Sequence, residues 1–532
     1  MTFYSILFRE VADQSATIGT HWPAYALDLS LNQLVEKLAA ARAEYDLAAL
    51  FEQPLQNVDA IVYRHQVMRD LENPAAFRCI ASFAEQMQRM RQQLAQMRKL
   101  YYEQQKQRWF VHSAETYRAA VVRLRNDLDC VDLQSDGLRR FRSYLRDYTA
   151  SRTFNAMTAE LDRTLSALQG VRYSILIKSN GFKVQKYANE SDYSSQVAAV
   201  FARFQQGDVK DYRVEFREAT DMNHIEAKVL EFVAMLYPQV FASLVAFCKD
   251  FGEYLDPTLA RFDREIQFYA AYLDFIRPLK RAGLSFCYPE VSSDTKQVHA
   301  TDAFDLVLAA KLVPAQAPVV CNSFYLRDPE RIFVVSGPNQ GGKTTFARMF
   351  GQLHHLASLG LPVPGGDARL YLCDALYTHF EREEKITNLR GKLEDDLVRV
   401  HAVLQQATTD SIIIMNEIFT STTLNDAVFL AGKVMERITE MDCLCVCVTF
   451  LDELASLSEK IVSMTSTVDP DDPTVRTYKV VRRTADGRAY AISLAEKYRL
   501  TYDPLKARIP SSPAPLREGG TRTPAAREVR VS

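Results

Sequence analysis

Gly337-Pro338-Asn339-Gln340-Gly341-Gly342-Lys343-Thr344-Thr345 decides the reading of this chain, because it fits the pattern G-x-x-x-x-G-K-[ST] in suitable surroundings. Upstream, Ile332-Phe333-Val334-Val335 is β-branched and aromatic, the texture of a buried strand. Downstream, the apolar spacing from Thr344 to Leu356 predicts a helix. Small residues at 337, 341 and 342 let backbone N–H groups turn toward phosphate oxygens at the positive end of that helix. Lys343 adds charge at the β and γ phosphates, and the Thr344 hydroxyl is suited to hold Mg²⁺. The motif predicts a nucleotide site built by residues 337–345, with ATP and Mg²⁺ as its ligands.

Such a loop needs a neighbouring strand that ends in polar groups near the metal and the γ-phosphate. Ser411-Ile412-Ile413-Ile414-Met415-Asn416-Glu417 supplies it: an apolar run fit for a central parallel strand, with a polar pair at its C-terminal end, where α/β sheets bind ligands. Glu417 is the candidate catalytic residue, because a carboxylate there can orient or deprotonate the attacking water. Asn416 is placed to touch the metal indirectly, through water.

The 532 residues suggest about three or four domains, and 47% hydrophobic with 24% charged residues is ordinary globular composition. A net charge of −2 excludes coating of nucleic acid by bulk charge, so any DNA contact needs a local basic face. The nine cysteines include no C-x-x-C pair, and Cys443, Cys445 and Cys447 alternate along one strand, which reads as a buried face in a reducing compartment. Met1 to Glu10 is too short an apolar stretch for a signal peptide. No run of about 18 apolar residues occurs, so the expectation is a cytoplasmic protein without a membrane span.

Residues 1 to about 170 read as helical. Leu34 to Leu50 carries a helix-period stripe, Pro54 breaks it, and Val58 to Leu71 resumes. Phe83, Met87, Met90, Leu94, Met97 and Tyr101 then form one coiled-coil-like seam, and Leu138, Phe141, Leu145 and Tyr148 predict a further long helix. Between about 171 and 187, Tyr173 to Lys178, a Ser179-Asn180-Gly181 turn and Phe182 to Val184 predict a β-hairpin. Helix patterning returns from about Ile225 to Arg281. Beyond about 300, strands near 332–335, 411–415, 443–449, 460–465 and 476–482 alternate with helices, the texture of an α/β domain. The Pro-, Ser- and Arg-rich tail from Pro510 carries too few large apolar residues to fold and is expected to be disordered.

With Gly337 to Thr345, the strand ending Asn416-Glu417, Thr420-Ser421-Thr422-Thr423 and Val448-Thr449-Phe450-Leu451-Asp452-Glu453-Leu454 assembled, residues 300 to 508 resemble the ATPase domain of the MutS mismatch-repair family. Pro362-Val363-Pro364 and Ala489-Tyr490-Ala491 fall where that family has similar residues. Pro54 to Val58 followed by Arg64-His65-Gln66-Val67 resembles its core and lever region. The resemblance implies a multidomain chain: an all-α core, lever and clamp with a small β insertion over 1–300, an α/β P-loop ATPase domain of ABC type over 301–508, and a disordered tail over 509–532. It implies a homodimer that opens and closes on DNA with ATP, each site completed by a loop from the other subunit. The resemblance is to a short member of the family, expected to lack its N-terminal mismatch-recognition and connector domains. Phe8-Arg9-Glu10 matches the Phe-x-Glu wedge only as a tripeptide, leading directly into core-like helices.

Three departures qualify what the family implies. Asn416 stands where relatives have Asp, and Phe450 stands where they have His. Leu389-Arg390-Gly391-Lys392-Leu393 occupies the position of the Ser-containing trans-acting segment, leaving Lys392 as the group that reaches a phosphate. Slow hydrolysis is expected, with ATP binding itself as the signal. The local basic face is Arg89, Arg91, Arg98, Lys99, Lys106 and Arg108, which fits non-sequence-specific contact with duplex or branched DNA phosphates. The alternative is an ATP-dependent scaffold whose clamp grips a protein partner.

Overall fold

The computed structural model of the protein describes residues 3–10, 24–178, 181–189, 222–381, 391–472 and 475–484. Two compact units divide the chain, residues 1–319 with 350–374 and residues 320–349 with 375–532.

The first unit is mainly helical, and short polar residues set where its helices start. Asn57 Oδ1 accepts from Asp59 N at 2.8 Å and opens Val58–Glu72. Asn73 Oδ1 accepts from Ala75 N at 2.9 Å and, with Pro74 at the first helical position, opens Pro74–Lys99. Buried Asp70 takes Ser135 N at 2.8 Å and Ser135 Oγ at 2.6 Å, fixing the turn that starts Asp136–Ala150. Helix Glu103–Asp129 doubles back along Pro74–Lys99, and Arg152–Gln169 follows. Pro257–Arg281 runs through the core, where the rings of Phe262 and Phe141 stack with centroids 3.5 Å apart. Burying each such ring contributes about 2–3 kcal/mol.

Two expectations need correction. The stripe from Leu34 to Leu50 is not one helix: it splits into Leu31–Ala40, a 3-10 turn at Ala43–Tyr45 and Ala48–Glu52. Asp46, in the left-handed region at φ 48°, breaks the run. The seam loses its last member, because the helix stops at Lys99 and Tyr101, 86% exposed, sits in the turn before Glu103. Helix periodicity does not reveal that the chain reverses there.

Tyr173–Lys178 pairs antiparallel with Gly181–Lys186, Ile175 opposite Val184, as the hairpin pattern predicts; residues 179 and 180 of the turn lie outside the described residues. Helices His224–Leu236 and Pro238–Asp250 follow. Phe286–Cys287 pairs with Val363–Pro364, and Asp367–Tyr371 pairs parallel with Glu290–Ser292 and antiparallel with Val298–Ala303.

Phe3–Phe8 is threaded into this unit as an irregular segment that bends after Ser5, with every side chain but that of Tyr4 buried. Glu265 accepts from Ser5 Oγ at 2.8 Å and Ile6 N at 2.9 Å. Tyr63 donates to Ser5 O at 2.7 Å, Tyr269 to Ile6 O at 2.7 Å, and Arg64 Nε to Leu7 O at 3.0 Å. Phe8 is 8% exposed and lies under the Arg64 guanidinium, 5.0 Å from ring centroid to carbon, so its ring is a packing group here.

The second unit is built on a six-stranded sheet in the order Leu376–His379, Ile412–Asn416, Leu444–Val448, Ile332–Ser336, Ile461–Val468, Arg476–Arg482. Its first five strands are parallel and the last is antiparallel. Ile412-Ile413-Ile414-Met415-Asn416 and Leu444-Cys445-Val446-Cys447-Val448 are buried at every position, as parallel strands covered on both faces require. Helices Lys392–Gln406 and Leu424–Met441 contribute Val400, Ala431, Met435 and Ile438 to a core with Ile413, Met415, Cys445 and Cys447. The three alternating cysteines are thus core side chains, and burial pushes the thiols of Cys445 and Cys447 up in pKa. Among the described residues no helix alone is long and apolar enough to cross a membrane.

Candidate functional site

Parallel pairing brings the C-terminal ends of Ile332–Ser336, Ile412–Asn416 and Leu444–Val448 to one edge of the sheet, and the sequence-predicted groups gather there. Residues 337–342 leave Ser336 as a loop and the helix Lys343–Ser358 begins at the lysine. Thr344 donates to Asn416 Oδ1 at 2.8 Å. Lys343 is 4% exposed, and its ammonium donates to Gly337 O at 2.9 Å and Pro338 O at 3.2 Å. The Phe450 ring centroid lies 4.3 Å from Lys343 Nζ.

Glu417 follows the strand end in the left-handed region at φ 56°, with Phe419 at φ 59°, and Glu417 N donates to Val448 O at 2.8 Å. A non-glycine residue costs about 1 kcal/mol or more in that region, so the fold holds this acid in place against its backbone preference. Burial raises the Glu417 carboxyl above its ordinary pKa; Lys343 pulls it back down and Glu381 adds to the rise. Burial lowers the Lys343 ammonium, and Arg476 lowers it further, while Glu417 and Asp452 oppose that shift. Each group thus favours the charged form of the other, against the effect of burial.

The glycines have a steric reason that local pattern does not reveal. A Cβ on Gly337 would lie 2.6 Å from Ser466 Oγ, and one on Gly341 would lie 2.5 Å from the same atom and 2.9 Å from Pro338 O. Gly337 and Gly342 also take φ of +113° and +94°, which side chains resist. The hydroxyls of Ser466 and Ser336 are buried with no hydrogen-bond partner among the described residues, directly beside the loop. Arg476 Nε donates to Asn339 O at 3.2 Å. A cradle stripped of side chains, lined by spare hydroxyls and closed by an ammonium resting on neutral carbonyls, fits an anion better than a packed turn. Ser466 and Arg476 come from strands more than a hundred residues downstream, so no local signal marked them.

Other candidates are distributed differently. Arg91 is committed within its own unit: it pairs with buried Asp263, reaches Glu44 at 3.4 Å and lies over the Tyr45 ring, so it leaves the basic face. Lys106 pairs with Glu103 at 3.6 Å. Arg89, Arg98, Lys99 and Arg108 are exposed. Lys392 pairs with Glu381. Leu389, Arg390, the segment Ala489-Tyr490-Ala491 and the tail lie outside the described residues.

The MutS domain V family matches residues 333–505. DNA mismatch repair protein MutS of Orientia tsutsugamushi (strain Boryong) is 27% identical over 217 residues, 40% of this chain and 24% of that protein. The protein of the same name from Thermosipho melanesiensis is 30% identical over 182 residues, 33% of this chain and 22% of that protein. That from Fervidobacterium nodosum is 26% identical over 285 residues, 52% of this chain and 33% of that protein. The matched region thus spans between about a fifth and a third of these relatives' length.

Proposed function

We propose, from the premise that this chain is a MutS-like family member, that it is an ATP-dependent DNA-binding protein of DNA repair or recombination, a nucleotide-gated clamp on duplex or branched DNA. In this reading residues 1–300 are the core, lever and clamp, 301–508 the P-loop ATPase domain and 509–532 a tail. The protein works as a homodimer, and direct mismatch reading is not part of its action.

The observation that carries the reading is the convergence of Lys343, the Thr344–Asn416 pair and Glu417 at one sheet edge, around a loop whose glycines leave no room for side chains. Bound ATP with Mg²⁺ would supply a γ-phosphoryl group open to in-line attack by water. Loop N–H groups and Lys343 would hold the phosphates, Thr344 and Asn416 would face the metal, and Glu417 is the group that would take a proton from water. The amide at 416, a poorer partner for metal-bound water than a carboxylate, favours slow turnover, so occupancy of the site is the signal and hydrolysis the reset. Arg89, Arg98, Lys99 and Arg108 contact phosphates without reading bases, with Lys106 once freed from Glu103.

The deciding experiment is binding of the purified full chain to duplex and branched DNA, with and without ATP, across a salt series. Affinity that depends on ATP and falls steeply with salt supports the clamp. ATP binding without any DNA affinity leaves the scaffold that grips a protein partner, a reading favoured by the loss of Arg91 to Asp263.

A further inference from the structure

Phe450 lies over the end of a buried lysine. It is 46% exposed, yet its ring sits over the ammonium of a lysine that is itself 4% exposed. Its position is fixed from both sides: Thr449 N donates to Val335 O at 3.0 Å, and Leu451 N donates to Thr449 Oγ1 at 3.0 Å. The Lys343 ammonium has donors on Gly337 O and Pro338 O and turns its remaining side to the ring face. Its hydrogen bonds and its ring contact are all to uncharged groups, while the carboxylates of Glu417 and Asp452 act on it through space. A phosphate that recruits the lysine must compete with these three contacts.

We propose that Phe450 is a positioning residue that holds Lys343 on the loop's own carbonyls and thereby weakens nucleotide binding. This rests on the nucleotide-site reading of residues 337–345. The ring's negative face attracts the cation; an aliphatic side chain of similar volume does not. Removing that face therefore takes away a contact present without nucleotide and leaves the phosphate contacts intact.

The test is equilibrium binding of Mg-ATP to the full-length protein, with Lys343→Ala as the zero. Phe450→Leu keeps apolar volume and loses the ring, and should bind ATP about three- to tenfold more tightly than wild type. Phe450→Tyr keeps a ring face and should bind as wild type does, and unchanged melting of both variants sets folding effects aside. A Leu variant that binds as wild type or more weakly overturns the inference while the nucleotide site stands. Wild-type protein that binds no ATP overturns both.

Discussion

The Thr344 hydroxyl is tied to the Asn416 amide oxygen at 2.8 Å, which joins the first turn of the helix Lys343–Ser358 to the end of strand Ile412–Asn416. The side of the loop where the proposed Mg²⁺ would bind is thus closed by a neutral pair.

Asn416→Asp keeps the acceptor for Thr344 and adds a charge where Mg²⁺-bound water would sit. The expected result is about a tenfold lower Mg²⁺ requirement and faster ATP hydrolysis, read by titrating Mg²⁺ in a phosphate-release assay.

Lys343→Ala should abolish ATP binding, whereas Glu417→Gln should retain it and lose about a hundredfold or more of whatever hydrolysis the wild type shows. Labelled-nucleotide binding and single-turnover rates separate the two. Equal loss of binding in both variants would remove Glu417 from the catalytic role.

The basic residues should divide into two classes. Neutralising Arg98 and Lys99 together should lower the slope of log affinity against log salt by about 2, with folding stability unchanged. Arg91→Ala should instead cost about 3 kcal/mol of stability, because it strands the buried Asp263, and should leave the salt slope alone. Denaturant melts beside DNA titrations test both statements.

Glu265 gives a pH signature. Burial raises its carboxyl from 4.5 to about 7, so the folded chain binds more protons than the unfolded chain between those values, and this group's contribution to stability falls as pH rises through that window. Buried neutral His65, His354 and His355, each held down to about 4, act in the opposite sense, so the comparison is variant against wild type at each pH. Glu265→Gln cannot ionise. Relative to wild type it should gain about 3 kcal/mol between pH 4 and pH 8, measured by urea unfolding.

Much of the fold was legible because it is written in local pattern. The buried strands at 332–336, 412–416 and 444–448 announced themselves as β-branched or alternating runs, and the long helices by their apolar spacing. What escaped depends on partners distant in sequence. Asp46 reversing its φ, the exposed Tyr101 at a turn and the pairing of Arg91 with Asp263 follow from three-dimensional neighbours. The same holds for the site. The loop's residue types were evident, but its dependence on Ser466, and the ring of Phe450 over Lys343, required the sheet to be assembled first.

The burial of Phe3–Phe8 against Glu265 and Tyr269 bears on how this protein is made. Those bonds join positions about 260 residues apart, so on a ribosome adding roughly 5–20 residues per second the segment waits tens of seconds for its docking helix to emerge. During that interval Phe3, Ile6, Leu7 and Phe8 stand uncovered as an aggregation-prone stretch, a ready client for a chaperone, and maturation of the helical unit is gated by the synthesis of Pro257–Arg281.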